Sequence, residues 1–80
     1  MKTVNVAVIG AGYWGKKVTG EYARLSKEDS GLHLFGVCDL SEDNLRYCRE
    51  NFGIPFLTDD YMKVLASPDV DAVNICTPNE

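Results

Sequence analysis

The residues best equipped for chemistry are six near the start of the chain, Gly10-Ala11-Gly12-Tyr13-Trp14-Gly15, and one acid further on, Asp39. The six spell G-x-G-x-x-G. That pattern is weak alone and gains meaning from its surroundings. Here it follows an apolar, β-branched run and opens an amphipathic one, and an acid ends the next apolar run at roughly the 20-residue distance that dinucleotide binding calls for. Each part has a physical role. Gly10 allows the tight turn out of a strand, Gly12 lets a diphosphate approach the backbone, and Gly15 lets a helix pack close to a sheet. The free N–H groups of that helix's first turn, at the positive end of its dipole, suit phosphate oxygens. The backbones of Tyr13 and Trp14 are placed to meet the same diphosphate, while their rings either cover the sheet edge or touch the ligand directly. A complete nucleoside-triphosphate loop, G-x-x-x-x-G-K-[ST], is absent, because Lys17 stands where the Ser or Thr of the magnesium position would be.

Asp39 makes the site selective. A carboxylate at the tip of a second strand accepts hydrogen bonds from both ribose hydroxyls of an adenosine and repels a 2′-phosphate. Leu40-Ser41 follows with no arginine to receive such a phosphate, so the residues favour NAD over NADP.

The elements that must hold these residues alternate. Val4–Ile9 reads as a strand, and a helix runs from near Gly12–Trp14 to about Leu25 with Val18, Tyr22 and Leu25 on one stripe. Residues 26–31 are polar and read as a loop, and Leu32–Cys38 as the second strand. Ser41 caps a second helix, with Glu42 and Asp43 in its first turn and Leu45, Cys48 and Phe52 on its buried side. Gly53 ends it. Pro55–Leu57 is a short third strand. Thr58 or Asp59 caps a third helix carrying Tyr61, Met62, Val64 and Leu65. Ala72–Cys76 is the fourth strand. The order β-α-β-α-β-α-β predicts an α/β fold with a parallel, Rossmann-type sheet, and right-handed crossovers set the strand order as 3-2-1-4.

Composition limits the alternatives. The 80 residues allow one domain, and 45% hydrophobic with 25% charged is ordinary for a globular protein. A net charge of −4 with scattered lysines and arginines gives no basic face for nucleic acid and no reason to expect a membrane surface. The opening strand is too short for a signal-peptide core, which points to the cytoplasm. Cys38, Cys48 and Cys76 form neither a disulfide framework nor a zinc spacing and read as small buried hydrophobes. His33, alone on the second strand, reads as structural. No metal site is expected.

Three stretches together resemble the Gfo/Idh/MocA oxidoreductases: residues 8–15, Val37-Cys38-Asp39, and Asp71-Ala72-Val73-Asn74-Ile75-Cys76-Thr77-Pro78-Asn79. The resemblance covers essentially the whole chain and implies an NAD(P)-dependent enzyme passing a hydride between the cofactor and a sugar, polyol or nucleotide sugar. It implies that Thr77, Pro78 and Asn79 lie along the dinucleotide, with Ile75 and Cys76 close by and Leu40 beside Asp39. The Tyr-Trp-Gly form of the loop is most similar to the nucleotide-sugar branch, many of whose members have Lys-Asn where this chain has Lys16-Lys17. The resemblance also implies that the catalytic lysine, the catalytic histidine and the substrate domain lie downstream. Residues 1–80 are then expected to be the N-terminal part of a dinucleotide-binding domain that binds cofactor without turning over substrate. The fourth strand is expected to be an apolar edge prone to self-association. A non-enzymatic NAD-binding regulatory module is the competing reading. A methyltransferase is a distant third, because Trp14 stands where its loop usually has glycine.

Overall fold

The computed structural model of the chain describes residues 3–28 and 31–76, with the backbone alone at Tyr13 and Trp14. Its elements are β1 (Val4–Ile9), α1 (Tyr13–Lys27), β2 (Leu32–Cys38), α2 (Glu42–Phe52), β3 (Phe56–Thr58), α3 (Tyr61–Ala66) and β4 (Ala72–Ile75). The four strands are parallel in the order β3-β2-β1-β4, as the alternation predicts. Between Val6 and Ala7 the β1–β2 register slips by one, which leaves Phe35 without a partner in β1.

Alternate strand residues face opposite sides of the sheet, so each strand feeds two cores. Val8, Leu34 and Val37 join Ala11, Cys48 and Ile54 on the side covered by α1 and α2, where Val18, Tyr22, Leu45 and Phe52 pack over them. On the other side Ala7 and Cys38 meet Val64 of α3, with Phe56, Val70 and Val73 around them. The second core is smaller because α3 is a short helix that buries Val64 alone and leaves Tyr61, Met62 and Leu65 exposed.

Several boundaries differ from the sequence expectation, each for a local reason. Ser26 and Lys27 belong to α1 and not to the following loop. Ser26 Oγ donates to the Tyr22 carbonyl and accepts the Leu34 N–H at 2.7 Å, tying the helix end to β2. Arg24 pairs with Glu21 and Glu28 on the solvent side. β3 starts at Phe56 because Pro55 has no N–H for the ladder. The cap of α3 is Asp60, whose Oδ1 accepts the Met62 N–H, while Thr58 Oγ1 accepts the Asp60 N–H. β4 ends at Ile75, although the Cys76 N–H still reaches the Ile9 carbonyl at 2.7 Å. Among the described strands β4 pairs with β1 only, so its outer side is an edge. No helix among the described residues is long and apolar enough to cross a membrane.

Candidate functional site

In a parallel sheet every helix begins at the carboxyl ends of the strands, so three helix N-termini gather at that edge with the loops between them. β1 leaves the sheet at Gly10, whose φ of 99° is a conformation that side-chain-bearing residues rarely adopt. The Gly10 N–H donates to the Cys38 carbonyl at 2.7 Å, so the turn hangs directly on β2. At Gly15 a Cβ would fall on the Gly10 carbonyl oxygen, far inside contact distance, with Cys76 Cβ next beyond it. The first turn of α1 can lie on the loop only because Gly15 has no side chain. Gly12 differs: its backbone is extended and open to any residue, and a Cβ there would meet no protein atom within 4 Å. Its missing side chain leaves open space beside the backbone.

That open space borders the start of α1. The first bond of the helix runs from the Lys16 N–H to the Gly12 carbonyl, so the amides of Tyr13, Trp14 and Gly15 precede the helical ladder and have no partner in it. Gly12 supplies no capping side chain, and no acid lies in the first turn. The other two starts are closed: Ser41 Oγ accepts the Asn44 N–H in α2, where Glu42 and Asp43 follow, and Asp60 closes α3. The positive end of α1 is therefore the one left available to an anion.

Asp39 sits across the turn from it. Its backbone N–H donates to the Thr58 carbonyl, which fixes its place at the tip of β2. Its Oδ2 accepts the Ala11 N–H at 2.5 Å and Asn44 Nδ2 at 3.3 Å, and its Oδ1 accepts the Ser41 N–H at 2.8 Å. The carboxylate thus ties the glycine loop to both β2 and α2. Beside it opens a cavity of about 310 Å³, walled by Ile9 and Cys38 from the strand ends, by Gly10, Asp39 and Leu40, and by Asp59 and Tyr61 before and in α3. Leu40 stands 91% exposed at its mouth.

The structure thus brings Gly10, Ala11, Gly12, Gly15, Asp39, Leu40 and Cys76 to one edge, together with the backbones of Tyr13 and Trp14. Thr77, Pro78 and Asn79 lie outside the described residues. Ile75 ends β4, largely exposed. Lys16 is half-buried with its ammonium 4.6 Å from the centroid of the Tyr47 ring, bridging α1 to α2. His33 lies at the opposite edge, 3.3 Å from Asn5 Oδ1.

The cysteines are free, and burial pushes all three thiols above their ordinary titration range. For Cys38 the charges of Asp39, Asp60 and Asp59 add to that rise. For Cys48 burial and Asp39 outweigh the opposing pull of Lys16. Protonated thiols are weak nucleophiles. Cys76 Sγ donates to Asn74 Oδ1, and Asn74 Nδ2 donates to the Tyr22 hydroxyl at 2.9 Å, which pins the end of β4 to α1. Among the described residues no group of three His, Cys, Asp or Glu side chains could hold a metal.

Three neighbours of the site were missed in the sequence: Asn44, Asp59 and Tyr61. For Asn44 a signal existed. It is the third residue after the Ser41 cap, and the first turn of a helix that follows a strand this closely lies back against the strand's tip.

Comparison with known proteins agrees with the geometry. Residues 4–80 match the Gfo/Idh/MocA profile, described as an oxidoreductase family with an NAD-binding Rossmann fold. Among curated proteins, 2,7-anhydro-N-acetylneuraminate hydratase of Mediterraneibacter gnavus is 34% identical over 99% of this chain and 19% of its own length. Among solved structures, scyllo-inositol dehydrogenase from Lactobacillus casei with bound NAD(H) and scyllo-inositol superposes with a TM-score of 0.84 at 22% identity, over 96% of this chain and 22% of that one. Levoglucosan dehydrogenase in complex with NADH and L-sorbose does so with a TM-score of 0.81 at 25% identity, over 100% and 22%. The chain spans about a fifth of the length of the curated relatives it matches. It belongs to the Gfo/Idh/MocA family.

Proposed function

From that membership we propose that the chain holds NAD(H) at the carboxyl edge of its sheet, and that the intact protein uses it to transfer a hydride to or from a sugar-like or polyol substrate. The observation that carries the cofactor assignment is the open start of α1 beside the Asp39 carboxylate, where the other two helix starts are closed by side chains. The residues present fit the group. The amides of Tyr13, Trp14 and Gly15 face the diphosphate, with Gly12 leaving room for it to approach. Asp39 accepts from the adenosine ribose, and Leu40 and Tyr61 flank the adenine with apolar surface. Cys76, Thr77, Pro78 and Asn79 contribute further contacts to the cofactor. When bound, NAD supplies the nicotinamide that accepts or gives the hydride. The acid–base group that such a transfer needs at the substrate carbon is contributed from beyond these residues.

Asp39 and Asp59 at one cavity give a 2′-phosphate two negative charges to approach, which selects NAD over NADP. The substrate class draws support from levoglucosan dehydrogenase with NADH and L-sorbose, and from the relative that acts on an anhydro sugar acid. Residues 1–80 act as the N-terminal part of the dinucleotide-binding domain, with the substrate domain elsewhere in the protein. Three free thiols suit a reducing, cytoplasmic setting. Separated from the rest, the chain self-associates through the outer edge of β4, which light scattering would register as mass rising with concentration; a monomer throughout would remove this part of the proposal.

Calorimetric titration of the intact protein with NAD, NADP and S-adenosylmethionine in parallel tests the assignment. NAD is expected to bind most tightly and S-adenosylmethionine not at all. Tighter binding of either competitor, or no heat with NAD, would reject it.

A further inference from the structure

The hydrogen bonds around Asp39 restrict what its carboxylate can still accept. A carboxylate offers about four acceptor positions, two on each oxygen. On Oδ2 both are taken, by the Ala11 N–H and by Asn44 Nδ2. On Oδ1 one is taken, by the Ser41 N–H. A single position is left, and it is on Oδ1. Two of the three donors are backbone amides fixed by the glycine turn and by the start of α2. The third is a side chain, and at 3.3 Å it makes the longest of the three bonds. Asn44 is itself held in place, because its own backbone N–H donates to Ser41 Oγ and it is half-buried against the strand tip.

Resting on the reading that this edge binds NAD, we propose that Asn44 is a positioning residue that limits Asp39 to one hydroxyl of the adenosine ribose. With Oδ2 occupied by Asn44, the ribose is gripped through Oδ1 alone. The second hydroxyl can reach the carboxylate only by displacing the Asn44 amide, an exchange of one hydrogen bond for another with little net gain. This differs from a carboxylate that chelates both hydroxyls, and it makes the residue at position 44 a determinant of how the ribose is recognised. Removing the amide opens a second acceptor position on Oδ2 without touching the charge of Asp39, the cap at Ser41 or the glycine loop.

The test uses the intact protein and NAD analogues lacking either the 2′- or the 3′-hydroxyl of the adenosine ribose. In the wild-type protein the two losses are expected to be unequal: about tenfold for the hydroxyl on Oδ1, in line with a hydrogen bond to a charged group, and within about twofold for the other. In Asn44→Ala both analogues are expected to bind about tenfold more weakly than NAD, because both hydroxyls then reach Asp39. A purely structural role for Asn44 would change all three affinities together and leave their ratios alone. Equal losses in the wild-type protein, or ratios unchanged in Asn44→Ala, would overturn the proposal. The wild-type comparison stands by itself should the variant fold poorly. Failure of the wild-type protein to bind NAD at all would instead overturn the underlying assignment, so the two failures are distinguishable.

Discussion

The starts of α1 and α2 lie at the same edge of the sheet, each just after a strand, and are built in opposite ways. α2 is closed by its own sequence: Ser41 accepts the Asn44 N–H, and Glu42 and Asp43 place negative charge on the helix's positive end. α1 has glycine at the cap, no acid in its first turn and open space where a Cβ of Gly12 would point. A cap is worth about 1 kcal/mol, and an anion at a helix start about 0.3–2 kcal/mol depending on burial. α1 forgoes the first within the chain and leaves the second to a ligand. On the proposed reading, the difference separates a helix start that serves the fold from one that serves binding.

Four substitutions would break or sharpen that contrast. The largest effect is expected at Gly15→Ala, where the new methyl collides with the Gly10 carbonyl. Overpacking against backbone should cost about 3 kcal/mol, the upper part of the usual range, and a thermal or denaturant melt would show it. Next is Gly12→Asp, which gives α1 the kind of cap α2 has. Melting temperature should hold or rise slightly, while NAD affinity drops about 100-fold because a carboxylate now occupies the diphosphate's place. A variant that lost stability but kept its affinity would invert the account. Asp39→Ala should weaken NAD binding roughly 10- to 100-fold and narrow its preference over NADP, since the repelling charge leaves with the ribose acceptor. Parallel titrations with both cofactors would measure this. The smallest effect is expected at Ser41→Ala, about 1 kcal/mol of stability from the lost cap of α2, with affinity changed by less than about twofold because the backbone N–H on Asp39 remains.

What the sequence disclosed follows the same division. The glycine loop and Asp39 were legible because backbone sterics and charge restrict which residues can stand there. The strand order followed from alternation and handedness, and β1 was bounded correctly by its β-branched run and β2 by the polar loop before it and Asp39 after it. The ends of α1, β3 and β4 and the cap of α3 were not. Ser26 looks like a loop residue until Leu34 is seen donating to it from β2, and three candidate caps in a row, Thr58, Asp59 and Asp60, are told apart only by where the short β3 ends. Tyr61 was invisible for a related reason: its part in the site comes from α3 folding back on the tip of β2, which no local pattern records. The same holds for the three donors on the Asp39 carboxylate, which a reading of Asp39 as a free ribose acceptor does not foresee.

The most direct measurement is a crystal structure of the intact protein grown with NAD. It should show diphosphate oxygens within hydrogen-bonding distance of the backbone amides that open α1, and the adenosine sugar against the Asp39 carboxylate. NAD seated away from the β1–α1 turn, with those amides facing solvent, would contradict the account.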